Sequence, residues 1–199
     1  ASPEAAVKLG WAHGALLTTW IAVVRATGRS GDTLLYGLGV PIALAGMATA
    51  SYTGFLFAQS KGRVLWMKRG LWLHLAVQAV LAGAACLAIL DATLGVRHPA
   101  LPALLAIALG LQLGFTLGEG FMAPRGREGE YRSAARILTH GPLARTHWIA
   151  GIGIGIVLPL ALVAFAPPVL LPVAGVLALV GLWVEEDLFV RAGQAQPIS

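Results

Sequence analysis

The chain has 199 residues, 57% hydrophobic and only 12% charged, with a mean hydropathy of +0.78 and a formal net charge of +5. A soluble domain carries about 25% charged residues, so this composition excludes an ordinary water-soluble globule. A single cysteine, Cys86, excludes a disulfide framework and any thiolate cluster or zinc site built from this chain alone, and the basic residues flank apolar runs rather than marking a nucleic-acid surface.

Charge-free runs place six expected membrane-spanning helices. The first is the weakest, about Leu9–Val24, bounded by Lys8 and Arg25. The second lies within Thr33–Ser60, the third within Leu71–Leu90 and the fourth within Pro99–Gly118. The last two share one stretch, Thr146–Val184, which runs thirty-nine residues without Asp, Glu, Lys or Arg. That is nearly twice the roughly 20 residues a helix needs to cross a bilayer. Pro167-Pro168 cannot continue a helix and divides the stretch into about Thr146–Ala166 and Val169–Val184. The runs are continuous rather than alternating, so an all-α polytopic transmembrane bundle is expected, not a barrel. Residues 1–199 read as one transmembrane domain, with 123–145 as its longest loop.

Six passes put both termini on one side, together with the second–third and fourth–fifth loops. Lys8, Lys61, Arg63, Lys68, Arg69, Arg125, Arg127, Arg132, Arg136, Arg145 and Arg191 fall there, against Arg25, Arg29 and Arg97 opposite. The excess of basic residues places that side in the cytoplasm. Were the first segment only interfacial, the N-terminus would move outside and the basic loops would stay inside. Within the long loop, Glu130–Leu138 reads either as a short amphipathic helix on the membrane face or as a solvated loop.

Gly110, Gly114 and Gly118 recur every fourth residue in the fourth span, as do Gly151 and Gly155 in the fifth. Such spacing lets helix backbones approach closely, and these glycines are expected to form packing seams inside the chain, with contacts between two copies as the alternative. Pro41 and Pro159 lie within spans and are expected to kink them.

Polar residues inside the apolar runs are costly and therefore informative. His13, His74 and His147 lie near the start of odd spans, Tyr52 and Gln59 near the end of the second, and Glu119 ends the fourth. All fall at similar depth near the cytoplasmic face. Histidine, tyrosine and carboxylate are the groups that bind a quinone head group or pass protons, though interfacial side chains reaching to water are the competing reading. Glu185-Glu186-Asp187 reads as a solvated helix end. Asp91 stands near the opposite face, with Gln78 and Gln112 as mid-span groups needing hydrogen-bond partners. The candidate quinone-binding or proton-transfer residues are thus His74, Glu119, Tyr52, Gln78, Asp91 and His147. A bis-histidine haem requires two histidines at matched depth on facing helices; His13, His74 and His147 meet the depth condition loosely, while His98 and His140 fall in loops.

Tyr52-Thr53-Gly54-Phe55-Leu56-Phe57, followed by Val64-Leu65-Trp66, resembles the membrane subunit of polysulfide reductase and the NrfD-like anchors. So do Gly141-Pro142-Leu143-Ala144-Arg145-Thr146-His147-Trp148, continuing through Gly151 to Pro159, and the closing Phe189-Val190-Arg191-Ala192-Gly193-Gln194 with Pro197 and Ser199. The resemblance covers spans two to six. It implies an anchor in the bacterial cytoplasmic membrane with no tightly bound cofactor of its own, exchanging electrons between menaquinone or ubiquinone and an iron–sulfur subunit. A larger catalytic subunit, often a molybdopterin protein, is the further partner implied. In that family a Glu ends the helix corresponding to span four, the place Glu119 occupies. The family has about eight or more helices, so the resemblance also implies a C-terminal part of a larger bundle, a reduced or vestigial site, or a site completed by another chain. A purely structural assembly subunit, a small transporter and a cytochrome b are the alternatives.

Overall fold

The computed structural model describes residues 3–27 and 33–195, and Arg29, Pro197 and Ser199 lie outside them. Among the described residues all regular structure is helical. We number the main helices α1 (Pro3–Thr27), α2 (Thr33–Ala58), α3 (Leu71–Leu94), α4 (Leu101–Leu117), α5 (Glu128–Thr139), α6 (Ala144–Phe165) and α7 (Leu171–Gln194).

Five segments are long and apolar enough to cross a bilayer: Gly37–Ala58, Leu71–Leu94, Leu101–Phe121, Ala144–Phe165 and Pro168–Gln194. The 25-residue α1 is long enough to span, but Lys8, His13, Thr18, Thr19 and Arg25 dilute its hydropathy. It lies along α2, where His13 Nδ1 is 3.1 Å from the carbonyl oxygen of Ile42. A carbonyl only accepts, so Nδ1 carries the hydrogen there.

Small residues decide how closely the inner helices approach. Leu81, Ala84, Ala85 and Ala88 of α3 pack with Leu105, Ala108 and Leu109 of α4 and with Ala174 and Ala178 of α7. Gly175 sits so close to α3 that a Cβ there would lie 2.7 Å from the Ala85 carbonyl oxygen. Gly155 of α6 and Gly181 of α7 meet backbone to backbone, and a Cβ on either would collide with the other. Lipid tails are as apolar as leucine, so this close backbone contact supplies dispersion that lipid contact cannot.

The glycine expectation is therefore half corrected. Gly151 and Gly155 pack inside the chain, but Gly110 and Gly114 are exposed with open space where a Cβ would stand, and Gly118 approaches only the Met122 side chain. The physical reason is rotational: α4 turns Leu105, Leu109, Gln112 and Thr116 inward, which carries the glycine stripe outward.

Residues His147–Val157 of α6 adopt π-helical winding, and the Leu158 N–H bonds the Gly153 carbonyl five residues back. Pro159 follows immediately and has no N–H to offer. The wider winding shifts the hydrogen-bond register just before it. At Pro167-Pro168 the chain turns as expected, with Ala166 and Pro167 extended.

Two other expectations change. Residues 128–139 do form an amphipathic helix, but Tyr131, Ala134 and Leu138 pack on Val64, Leu65, Leu188 and Phe189 rather than on lipid. And α7 continues to Gln194, ten residues past the end of the charge-free run, so Glu185 and Glu186 lie within it rather than at a solvated end.

Gly181→Leu is expected to destabilise the fold by about 3 kcal/mol or more, because backbone cannot yield as a side chain can. Gly110→Leu is expected to stay within about 0.5 kcal/mol, as at an open surface position. Thermal unfolding of both variants in mild detergent, followed by circular dichroism, separates the packed seam from the open stripe.

Candidate functional site

The site begins with a lysine that enters the bundle from a loop. After α2 the chain makes a short 3-10 turn at Val64–Met67, and Gly70, at φ 77°, permits the sharp entry into α3. The Arg69 N–H bonds the Met122 carbonyl at 2.8 Å, tying this loop to the one after α4. Lys68 is thereby directed inward and is only 4% exposed.

Its ammonium group is fully engaged. Lys68 Nζ donates to Glu119 Oε1 at 2.7 Å and to His74 Nδ1 at 2.9 Å, and it lies 4.7 Å from the centre of the Phe189 ring. An ammonium only donates, so His74 Nδ1 must accept. The other ring nitrogen, Nε2, lies 3.1 Å from Gln112 Oε1 and therefore carries the hydrogen. His74 is thus a neutral imidazole of fixed tautomer, stacked at 5.1 Å on Phe115. With both nitrogens occupied, it offers no free axial ligand to a haem.

A second group of contacts comes from α7. Gln78 Nε2 donates to Glu186 Oε1 at 2.7 Å. His147 Nδ1 donates to Glu185 Oε1 at 3.0 Å, with the imidazole 3% exposed. Gly151, one turn after His147, leaves the space that the Glu185 carboxyl occupies, since a Cβ there would overlap it.

These groups surround a cavity of about 20 Å³ lined by Lys68, His74, Gln78, Thr116, Glu119 and Glu186, among others. That is room for about one water molecule and far below the roughly 300 Å³ at which small-molecule pockets begin. The Thr116 hydroxyl is buried there without a partner among the described residues. Chemically, the cluster can hold and pass protons; it has no room for a quinone ring.

Helix α5 closes the outer end, with Leu138 on the cavity wall and Tyr131 fully buried. The Tyr131 hydroxyl has no hydrogen-bond partner among the described residues. Burial first, and then the Glu119 charge, push its phenol well above the usual tyrosine range. It therefore stays a neutral phenol in the apolar layer over the cavity.

Of the residues singled out in the sequence, the fold gathers His74, Gln78 and Glu119 at the cavity and brings His147 to it through Glu185. Tyr52 is buried on α2 but does not line this space. Asp91 is remote: seventeen residues beyond His74 is about 25 Å along a helix. There it accepts from His98 Nδ1 at 2.8 Å and from the His98 backbone N–H at 3.0 Å, in a separate crevice.

Lys68, Glu185 and Glu186 were not apparent as site residues. The sequence signal for the acids was the apolar Leu188-Phe189-Val190 directly after them, which only a continuing helix explains. Asp187 alone behaves as a surface acid, pairing with Arg191 at 2.9 Å. Comparison of the chain with protein-family models, with curated proteins and with solved structures finds no match in any of the three.

Lys68→Met is expected to destabilise the protein by about 3–5 kcal/mol, because it strands Glu119 as a buried unpaired charge. Tyr131→Phe removes only an unsatisfied hydroxyl and is expected to be neutral or to stabilise by up to about 1 kcal/mol. Midpoints of thermal unfolding for the two variants check both signs.

Proposed function

We propose that this chain is the membrane anchor subunit of a quinone-linked oxidoreductase, and that the Lys68–His74–Glu119–Glu186 cluster handles protons for it. The observation that carries the reading is the cluster itself. Lys68, His74, Gln78 and Gln112 are all buried among helices long enough to cross a bilayer, and they converge with Glu119, Glu185 and Glu186 on one small cavity, with the buried His147 bonded to Glu185 behind it. Ionisable groups at such depth are expensive, and their usual purpose is to move protons or ions. The resemblance at Tyr52–Phe57 and Gly141–Trp148 supplies the rest: quinone as the membrane substrate, and an iron–sulfur electron-transfer subunit with a larger catalytic subunit as partners. In this reading the ring docks outside the cluster and only protons reach it. The anchor sits in the bacterial cytoplasmic membrane with α1 as a sixth span, and the termini and basic loops face the cytoplasm.

A second reading is a structural assembly subunit. It is favoured by the pairing of Lys68 with Glu119 and of His147 with Glu185, which would equally serve as fixed polar pins between helices.

The two readings diverge in one experiment. The complex purified through this chain in mild detergent is assayed for quinone-dependent electron transfer with Glu119→Gln and with His74→Ala. Proton handling predicts an intact complex with turnover reduced at least tenfold in each variant. Unchanged turnover in both removes the proton role and leaves the anchor; a preparation lacking iron–sulfur partners removes the redox reading altogether.

A further inference from the structure

The ionisable groups of the cluster do not balance. Three carboxylates, Glu119, Glu185 and Glu186, face one ammonium, Lys68. His74 is held neutral by donating to Gln112 while accepting from Lys68. Glu119 has Lys68 at 2.7 Å, and Glu185 has the His147 imidazole at 3.0 Å. Glu186 has the neutral amide of Gln78, and among the described residues no cation lies within ion-pair distance of it. Tyr131, on the element that closes the cavity, is a neutral phenol and cannot supply one.

Glu186 is also shielded, lying on the cavity wall within α7 rather than at its end. It is eight residues before the end of α7, about 12 Å along the helix. A lone carboxylate there, beside two others, carries both the desolvation cost and the repulsion of its neighbours. The cheapest compensating cation is the smallest one. We propose that Glu186 holds an exchangeable proton, making it the proton-binding site of the cluster.

The geometry suits an exchanging rather than a locked proton. The Gln78 amide donates to Oε1, leaving Oε2 as the oxygen that carries the hydrogen. Glu186 and the unpartnered Thr116 hydroxyl line the same cavity, which has room for one water. A water there would have a carboxyl and a hydroxyl as partners, so the Glu186 proton could exchange with it. Glu119 is already paired with the Lys68 ammonium and Glu185 accepts from the His147 imidazole, so Glu186 is the carboxyl with no ionisable partner among the described residues. This identifies the proton's seat in the cluster and rests on the proton-handling reading.

The test reads the carboxyl directly. Infrared spectra of the intact purified protein, in a detergent without ester groups, are recorded in H₂O and D₂O at neutral pH. The expected result is a protonated-carboxyl C=O band that shifts in D₂O, persists in Glu119→Gln and disappears in Glu186→Gln. The isosteric Glu186→Gln keeps an oxygen for Gln78 and is expected to fold, with an unfolding temperature at or above that of the parent protein. A band that survives Glu186→Gln, or no such band in the parent protein, overturns the assignment. Stabilisation by sodium chloride but not by choline chloride, lost in Glu186→Gln, also overturns it, because a bound sodium ion would then be the missing cation. The spectra do not involve turnover, so an infrared failure with the turnover effects intact sinks this assignment alone.

Discussion

A buried ammonium sets the terms for everything around it. Lys68 cannot be left alone in a low-dielectric interior, and each of its contacts comes from a different part of the chain: His74 from α3, Glu119 from the end of α4, Phe189 from α7. Holding those three at hydrogen-bond and ring-contact distance requires the helices to approach more closely than leucine-lined surfaces allow. The alanines of α3 and α7 and the Gly155–Gly181 contact provide that approach. Packing and polarity are therefore one problem here: the seam without side chains brings the helices together, and the charged groups fix which residues face each other across it.

The division of labour along the bundle follows. Midway, the inner helices meet through small and aliphatic residues, with Leu81, Leu105 and Leu109 essentially inaccessible. Toward one end the same helices carry the ionisable cluster, and beyond it α5 and the Val64–Met67 turn form a second apolar layer around Tyr131 and Leu65. A polar site is thus enclosed between two greasy ones. The space inside it holds about one water, which keeps its electrostatic interactions strong.

How much of this the sequence disclosed depends on the length scale of the signal. Helices stand at all six expected places and five of them are long and apolar enough to cross a bilayer, because hydrocarbon thickness is a coarse and demanding filter. Pro167-Pro168 marked its turn for an equally local reason. His74, Gln78 and Glu119 stood out because polarity inside an apolar run is rare. What could not be read was rotation about each helix axis. Gly110 and Gly114 have the spacing of a seam, and only the choice of which face of α4 turns inward reveals them as external. Lys68 looked like one more basic loop residue until the loop's path through Gly70 turned it inward. Glu185 and Glu186 were hidden by charge itself: two acids after a hydrophobic run resemble a terminus, and their pairing with His147 and Gln78 depends on residues 38 and 108 positions away.

The cluster's membership also has a consequence for biosynthesis. Lys68, His74 and Glu119 come from α3, its entry loop and the turn after α4, while Glu185 and Glu186 arrive with α7, more than sixty residues later in synthesis. Until that helix docks, His147 lacks its acid and Phe189 has not covered the ammonium. The polar cluster is therefore completed only when α7 docks, and a chain shortened before Glu185 would leave His147 and Gln78 without their carboxylate partners.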